Sequence, residues 1–106
     1  MHREDLPAEP RRLRANEQLM EQLNERMKTR LAEMREEDDE EVDAPFDFFC
    51  ECSDLDCRLR ISVRPRQYEA IHRDPEQFVL VPGHEVPAVE RVVDQEGDYL
   101  IVRKIA

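Results

Sequence analysis

The sequence predicts an α+β chain, with a long N-terminal amphipathic helix followed by a small β-rich domain that contains one short helix. Three observations predict it. The composition shifts near residue 45: residues 1–45 carry 8 basic and 14 acidic residues and no aromatic ring. Phe46, Phe48, Phe49, Tyr68, Phe78, Tyr99 and all three cysteines lie beyond that point. Leu13, Met20, Met27 and Met34 recur every seven residues, in a stretch without Gly or Pro from Arg11 to Glu37. That is the pattern of an amphipathic helix built from good helix formers. Finally, Cys57 to Val63 alternates strictly, with Cys57, Leu59, Ile61 and Val63 on one face and Arg58, Arg60 and Ser62 on the other. This alternation marks a half-buried strand.

Taken in order, residues 1–9 show no periodicity and read as a flexible arm. Pro10 suits a first helical position, because its missing N–H would be unpaired there anyway. The helix is placed at 10–36, with Leu23 and Leu31 completing the apolar stripe of Leu13, Met20, Met27 and Met34. Asn16 and Arg30 interrupt the heptad pattern. A lone helix of this length is marginal in water, so its stripe must bury against something. A second copy of the chain, another protein, or the chain's own domain would serve. Glu36 to Glu41 is a run of six acids. It opposes the helix macrodipole and stops the helix near Arg35. Residues 37–45 are therefore expected to be an extended acidic linker.

Residues 46–106 form the α+β domain. Phe46 to Cys52 is rich in strand formers, and Ser53 to Asp56 has turn composition. Pro65 opens a short helix to about Arg73, with Tyr68 and Ile71 facing inward, and Asp74-Pro75 ends it. Phe78 to Val81 is a short buried strand. Pro82-Gly83 is a turn that delivers His84. Val89–Asp94 and Tyr99–Ile105 make a hairpin across Gln95 to Asp98.

Bulk properties narrow the function classes. The net charge of −10 disfavours phosphate backbones, and no apolar run approaches the ~20 residues of a bilayer span. No secretory signal is visible, so the cytoplasm is the expected compartment. A P-loop, a G-x-S-x-G elbow and a deaminase-type zinc motif are all missing, so the chain is not expected to be an enzyme. Mean hydropathy is −0.79 and there is no Trp, which leaves a thin core that needs help from a metal, a disulfide or a partner.

Cys50, Cys52 and Cys57 follow C-x-C-x4-C spacing. In a reducing compartment, an odd number of closely spaced thiols is better explained by a soft tetrahedral ion than by disulfides. One zinc per chain is the leading choice. His84, aimed by the Pro-Gly turn, is the preferred fourth ligand. His72 on the short helix is the alternative, and Asp54 or Asp56 can supply an oxygen or orient a ligand.

Phe48 to Arg58 resembles the post-SET zinc knuckle of histone lysine methyltransferases, in which three thiolates bind zinc with a fourth ligand from elsewhere. The resemblance implies ligand roles for Cys50, Cys52 and Cys57. It implies no methyltransferase activity, because nothing in the chain looks like a SET domain. The longer pattern runs from Phe48-x-Cys50-x-Cys52-x4-Cys57 through Tyr68, Asp74-Pro75 and Phe78-Val79 to Pro82-Gly83-His84 and the closing hairpin. It looks like a family of small bacterial Cys/His proteins of unassigned function. Arg64-Pro65-Arg66 departs from the Thr/acidic helix start of that family. The resulting expectation is a structural zinc domain acting as an interaction or regulatory module. Leu13, Met20, Leu23, Met27, Leu31 and Met34 would bind a second copy or another protein. The alternatives are a thiol-based redox or metal sensor and, further off, a nucleic-acid-associated regulator using Arg58, Arg60, Arg64, Arg66 and Arg73.

Overall fold

The computed structural model describes residues 10–38, 40–54 and 56–105, with side chains from Ala15 onward. The arm at 1–9 and the side chain of Leu13 lie outside the described residues. The elements are α1 (Pro10–Glu37), β1 (Phe46–Phe49), β2 (Arg60–Val63), α2 (Pro65–Ile71), β3 (Gln77–Leu80), β4 (Glu90–Glu96) and β5 (Tyr99–Lys104). The class is α+β, as the sequence predicts. Among the described residues no helix is long and apolar enough to cross a membrane.

β1 and β2 pair antiparallel, Phe48 opposite Ile61. The other three strands form a second antiparallel sheet in the order β3-β5-β4. Gly97, at φ +57°, begins the two-residue turn between β4 and β5, a position that glycine fills without strain. The pairing of β3 with β5 sets Phe78 against Val102, Val79 against Ile101 and Leu80 against Leu100. Successive side chains point to opposite faces of a sheet. One face thus carries Val79, Tyr99 and Ile101, which pack with Phe48, Ile61, Val63, Tyr68 and Ile71. The other carries Phe78, Leu80, Leu100 and Val102, which pack with the three cysteines. The thin core is therefore two small clusters on either side of one short sheet.

Three local expectations change. The strand predicted from Cys57 begins only at Arg60, and Leu59 is exposed. The backbone at Cys57 to Leu59 is instead shaped by the cysteine loop. The short helix ends at Ile71, two residues before Arg73. The acidic segment is not an extended spacer. Arg35 is buried and donates hydrogen bonds to the carbonyls of Ala44 (2.6 Å) and Val42 (3.3 Å), folding that segment back. Asp43 then accepts the backbone N–H of Arg66 at 2.8 Å. The side chain of Arg64 makes no cap for α2, so the cap that the local sequence lacks comes from 23 residues upstream.

The helix also docks by a face rotated from its apolar stripe, sharing Met20 and, in part, Met27 and Leu31 with it. Asn16, Glu17, Met20, Asn24 and Arg35 are buried, whereas Leu23 (37% exposed) and Met34 (51%) point outward with Leu19. Met27 and Leu31 are half-buried. The polar residues win because they meet backbone groups and buried charges of the domain that apolar side chains cannot satisfy.

Candidate metal centre

Four side chains converge beside β3: Cys50, Cys52, Cys57 and His84, with ligand atoms all within 4.8 Å of one another. Each is positioned by local backbone. β1 stops at Phe49, and the N–H of Cys50 donates to the carbonyl of Leu59 at 2.9 Å. Asp54 builds the turn between the second and third thiols: its carboxylate accepts the N–H of Asp56 at 2.9 Å, and its carbonyl accepts the N–H of Cys57 at 3.1 Å. His84 closes a turn in which its N–H donates to the carbonyl of Val81 at 3.0 Å. Pro82 and Gly83 are the central residues, and Gly83 has φ +95°. Proline followed by a positive-φ glycine is the requirement of a type II turn.

The imidazole Nδ1 of His84 lies 3.7 Å from the Cys50 sulfur and 3.6 Å from that of Cys57. A tetrahedral ion with Zn–S of about 2.3 Å and Zn–N of about 2.0–2.1 Å separates S and N ligands by about 3.6 Å. The observed spacing therefore fits such an ion. Each sulfur also accepts one backbone N–H: Cys50 from Val81 at 3.2 Å, Cys52 from Asp54, and Cys57 from Leu59. These bonds favour thiolates. The thiols of Cys50 and Cys52 shift in opposite directions. The hydrogen bond between them, and then burial, push Cys50 far up. The same bond draws Cys52 down to about 5. Burial raises Cys57. A bound cation would favour the thiolate form of all three by its own charge.

His72 does not join the cluster. Its ring is buried, with Nδ1 2.6 Å from Glu21 Oε2 and Nε2 2.9 Å from Glu51 Oε1. Neither contact lies along a good N–H direction, so the attraction is chiefly one of charge. His2 lies outside the described residues. Asp54 serves the turn, by its carboxylate and its backbone.

Two buried charge clusters attach α1 to this framework, and neither is visible as a motif. In the first, Glu51 is fully buried between Cys50 and Cys52. It accepts hydrogen bonds from Tyr68 Oη, from Asn24 Nδ2 at 3.0 Å and from the N–H of Val79 at 3.0 Å. Burial pushes Tyr68 far up, aided by the charge of Glu51. Burial also opposes charge on His72, but Glu21 and then Glu51 outweigh it, and the pKa rises to about 9. In the second cluster the Lys104 ammonium touches Glu17 and donates to Glu90 Oε1 at 2.7 Å. Glu90 Oε2 accepts the N–H of Val86 at 3.0 Å. One cation cannot neutralise two buried carboxylates. Burial, and then the hydrogen bond to Glu90, raise Glu17 to about 8. The only sequence signal for these contacts is the pair of asparagines, Asn16 and Asn24, eight residues apart on a helix that is otherwise mostly charged or apolar.

Both raised pKa values act in one direction. A folded-state pKa above the unfolded value stabilises below the unfolded pKa, and the benefit is lost as pH rises through the folded one. Glu17 loses it between 4.5 and about 8, and His72 between 6.5 and about 9. Zinc-bound thiolates add a pH dependence of their own, so the comparison is with Glu17→Gln, in which that contribution is the same. The urea midpoint of the zinc-saturated wild type should fall relative to that of Glu17→Gln from pH 6 to pH 9, and a difference that does not change with pH would contradict the assignment.

Comparison with protein-family models, curated proteins and solved structures gives no match to this chain. A function must therefore be argued from the site itself.

Proposed function

We propose that the chain is a small zinc-binding module in which the ion is structural, one per chain. The observation that carries this reading is the closed donor set of three sulfurs and one ring nitrogen, with the cysteines 1%, 1% and 7% exposed. Four protein ligands fill a tetrahedral ion and leave no position for substrate, which is the mark of structural rather than catalytic zinc. The likeness to the post-SET knuckle supports the same use of the three thiolates. The deep burial of Cys50 and Cys52 weighs against the redox-sensor alternative, since oxidants attack accessible thiolates.

The module's output is protein binding along the outward side of α1. Leu19, Leu23 and Met34 supply exposed apolar surface on a helix whose other side is already docked. The partner is a second copy of the chain or another protein. Native mass spectrometry of the untagged protein tests both parts. One zinc per chain in a dimer, or in a retained complex, is expected, whereas a metal-free monomer overturns both.

The turn that aims His84 gives a local test. Gly83→Ala meets no neighbouring atom within 4 Å, so its effect comes from the positive φ alone, about 1–2 kcal/mol. Zinc affinity, read by chelator competition, should fall about tenfold with the fold retained. Unchanged affinity would mean that His84 is not held by this turn.

A further inference from the structure

The backbone of the ligand loop is not satisfied by its own domain alone. The Cys50 and Glu51 N–H groups go to Leu59 and Val79, at 2.9 and 2.8 Å. The remaining polar groups of residues 49–52 that face α1 go to two asparagines. Asn24 acts as a substitute strand: its Nδ2 donates to the carbonyl of Phe49 at 2.9 Å, and its Oδ1 accepts the N–H of Phe49 at 2.8 Å. The same Nδ2 reaches Glu51 Oε2 at 3.0 Å. Asn16, two turns earlier, donates to the carbonyl of Cys52 at 2.8 Å. The helix thus grips the chain immediately before the first thiolate and at the second.

We propose that α1 is a metal-responsive strap: its docking through Asn16 and Asn24 and ion binding at Cys50, Cys52, Cys57 and His84 are thermodynamically coupled. This rests on the reading of the site as a zinc centre. The ion fixes the path of residues 50–52. That path places the Phe49 and Cys52 backbone groups where the two asparagines reach them. A loop released from the ion no longer presents this pattern, and each asparagine would lose buried hydrogen bonds. The far end of α1 is held differently, by Arg35 on the carbonyls of residues 42–45, and does not touch the loop. In the zinc-loaded chain a loosened strap therefore shows first in the turns around Asn16 and Asn24, where Glu17 on Lys104 and Glu21 beside His72 remain as holds that do not touch the loop. Loss of the ion itself, which also removes the β-rich surface beneath, exposes the polar face of α1 as a whole.

Coupling is reciprocal, so loosening the strap must weaken the ion by the same factor by which the ion tightens the strap. The test uses the full chain and zinc itself. Chelator competition at fixed pH is run on the wild type, on Asn16→Ala/Asn24→Ala, and on Leu19→Ala as an outward-facing control. Hydrogen exchange of the zinc-loaded proteins is followed in parallel. The double variant should bind one zinc about tenfold more weakly, with faster exchange over residues 16–28 and unchanged exchange over 35–45. Leu19→Ala should match the wild type. If the double variant does not fold, Asn16→Ala alone, which removes a single bond, should show a several-fold loss. Released α1 with zinc affinity within about twofold of wild type overturns the coupling and leaves the zinc centre standing. A wild type that binds no zinc overturns both.

Discussion

Withdrawing zinc with a strong chelator should erase most of the β-sheet circular dichroism of residues 46–105. The expectation follows from how little else holds that region. Of its two apolar clusters, one contains all three cysteines packed on Phe78, Leu80, Leu100 and Val102. When the ion leaves, these thiolates must take up protons or face one another as buried charges, so the cluster loses both its cross-link and the two positive charges that offset its thiolates. Structural zinc contributes about 10–16 kcal/mol in small peptides, against a net stability of ~5–15 kcal/mol for a whole domain. Returning zinc should restore the spectrum, and Cys57→Ser should mimic the chelated state. A spectrum unchanged after complete metal removal would show that the two clusters suffice alone.

Lys104→Met should be the most damaging single change away from the metal. It leaves Glu17 and Glu90, both almost fully buried, facing each other without a cation. Removing one partner of a buried ion pair costs about 3–5 kcal/mol, because an uncompensated charge remains. Urea denaturation of the zinc-loaded protein at pH 7.5 reads the loss. Adding Glu17→Gln should recover part of it, since one of the two facing carboxyl groups disappears. The penalty should also shrink at pH 5, where the carboxylates accept protons more readily. A loss under about 1 kcal/mol would mean that water reaches the cluster, and would remove this anchor of α1.

Much of the fold was readable in the chain. The alternation at Ile61 and Val63 and the inward Tyr68 and Ile71 appear where period and turn residues place them, because such signals are local, and the final hairpin forms with its turn narrowed from Gln95–Asp98 to Gly97 and Asp98. The cysteine spacing and the Pro-Gly before His84 pointed to the four side chains that the structure brings together. Leu59 misled because alternation extends through it, although the backbone there already belongs to the ligand loop. Asn16 read as a flaw in a heptad, yet it is one of the residues that fasten α1. Asp43 fell within the expected acidic linker, yet it caps α2. Nothing local distinguishes either role.

By itself, the sequence determined the class, the division near residue 45 and the set of candidate ligands, since composition, period and spacing are properties of short stretches. Only the tertiary structure decided which face of α1 is buried, that His84 and not His72 stands with the thiols, and that two charge clusters lie beneath the helix. Those outcomes depend on partners as far apart as Glu17 and Lys104 or Asn24 and Phe49. A buried polar group is settled by whichever distant donor or acceptor can satisfy it, and that choice is made in space, not along the chain.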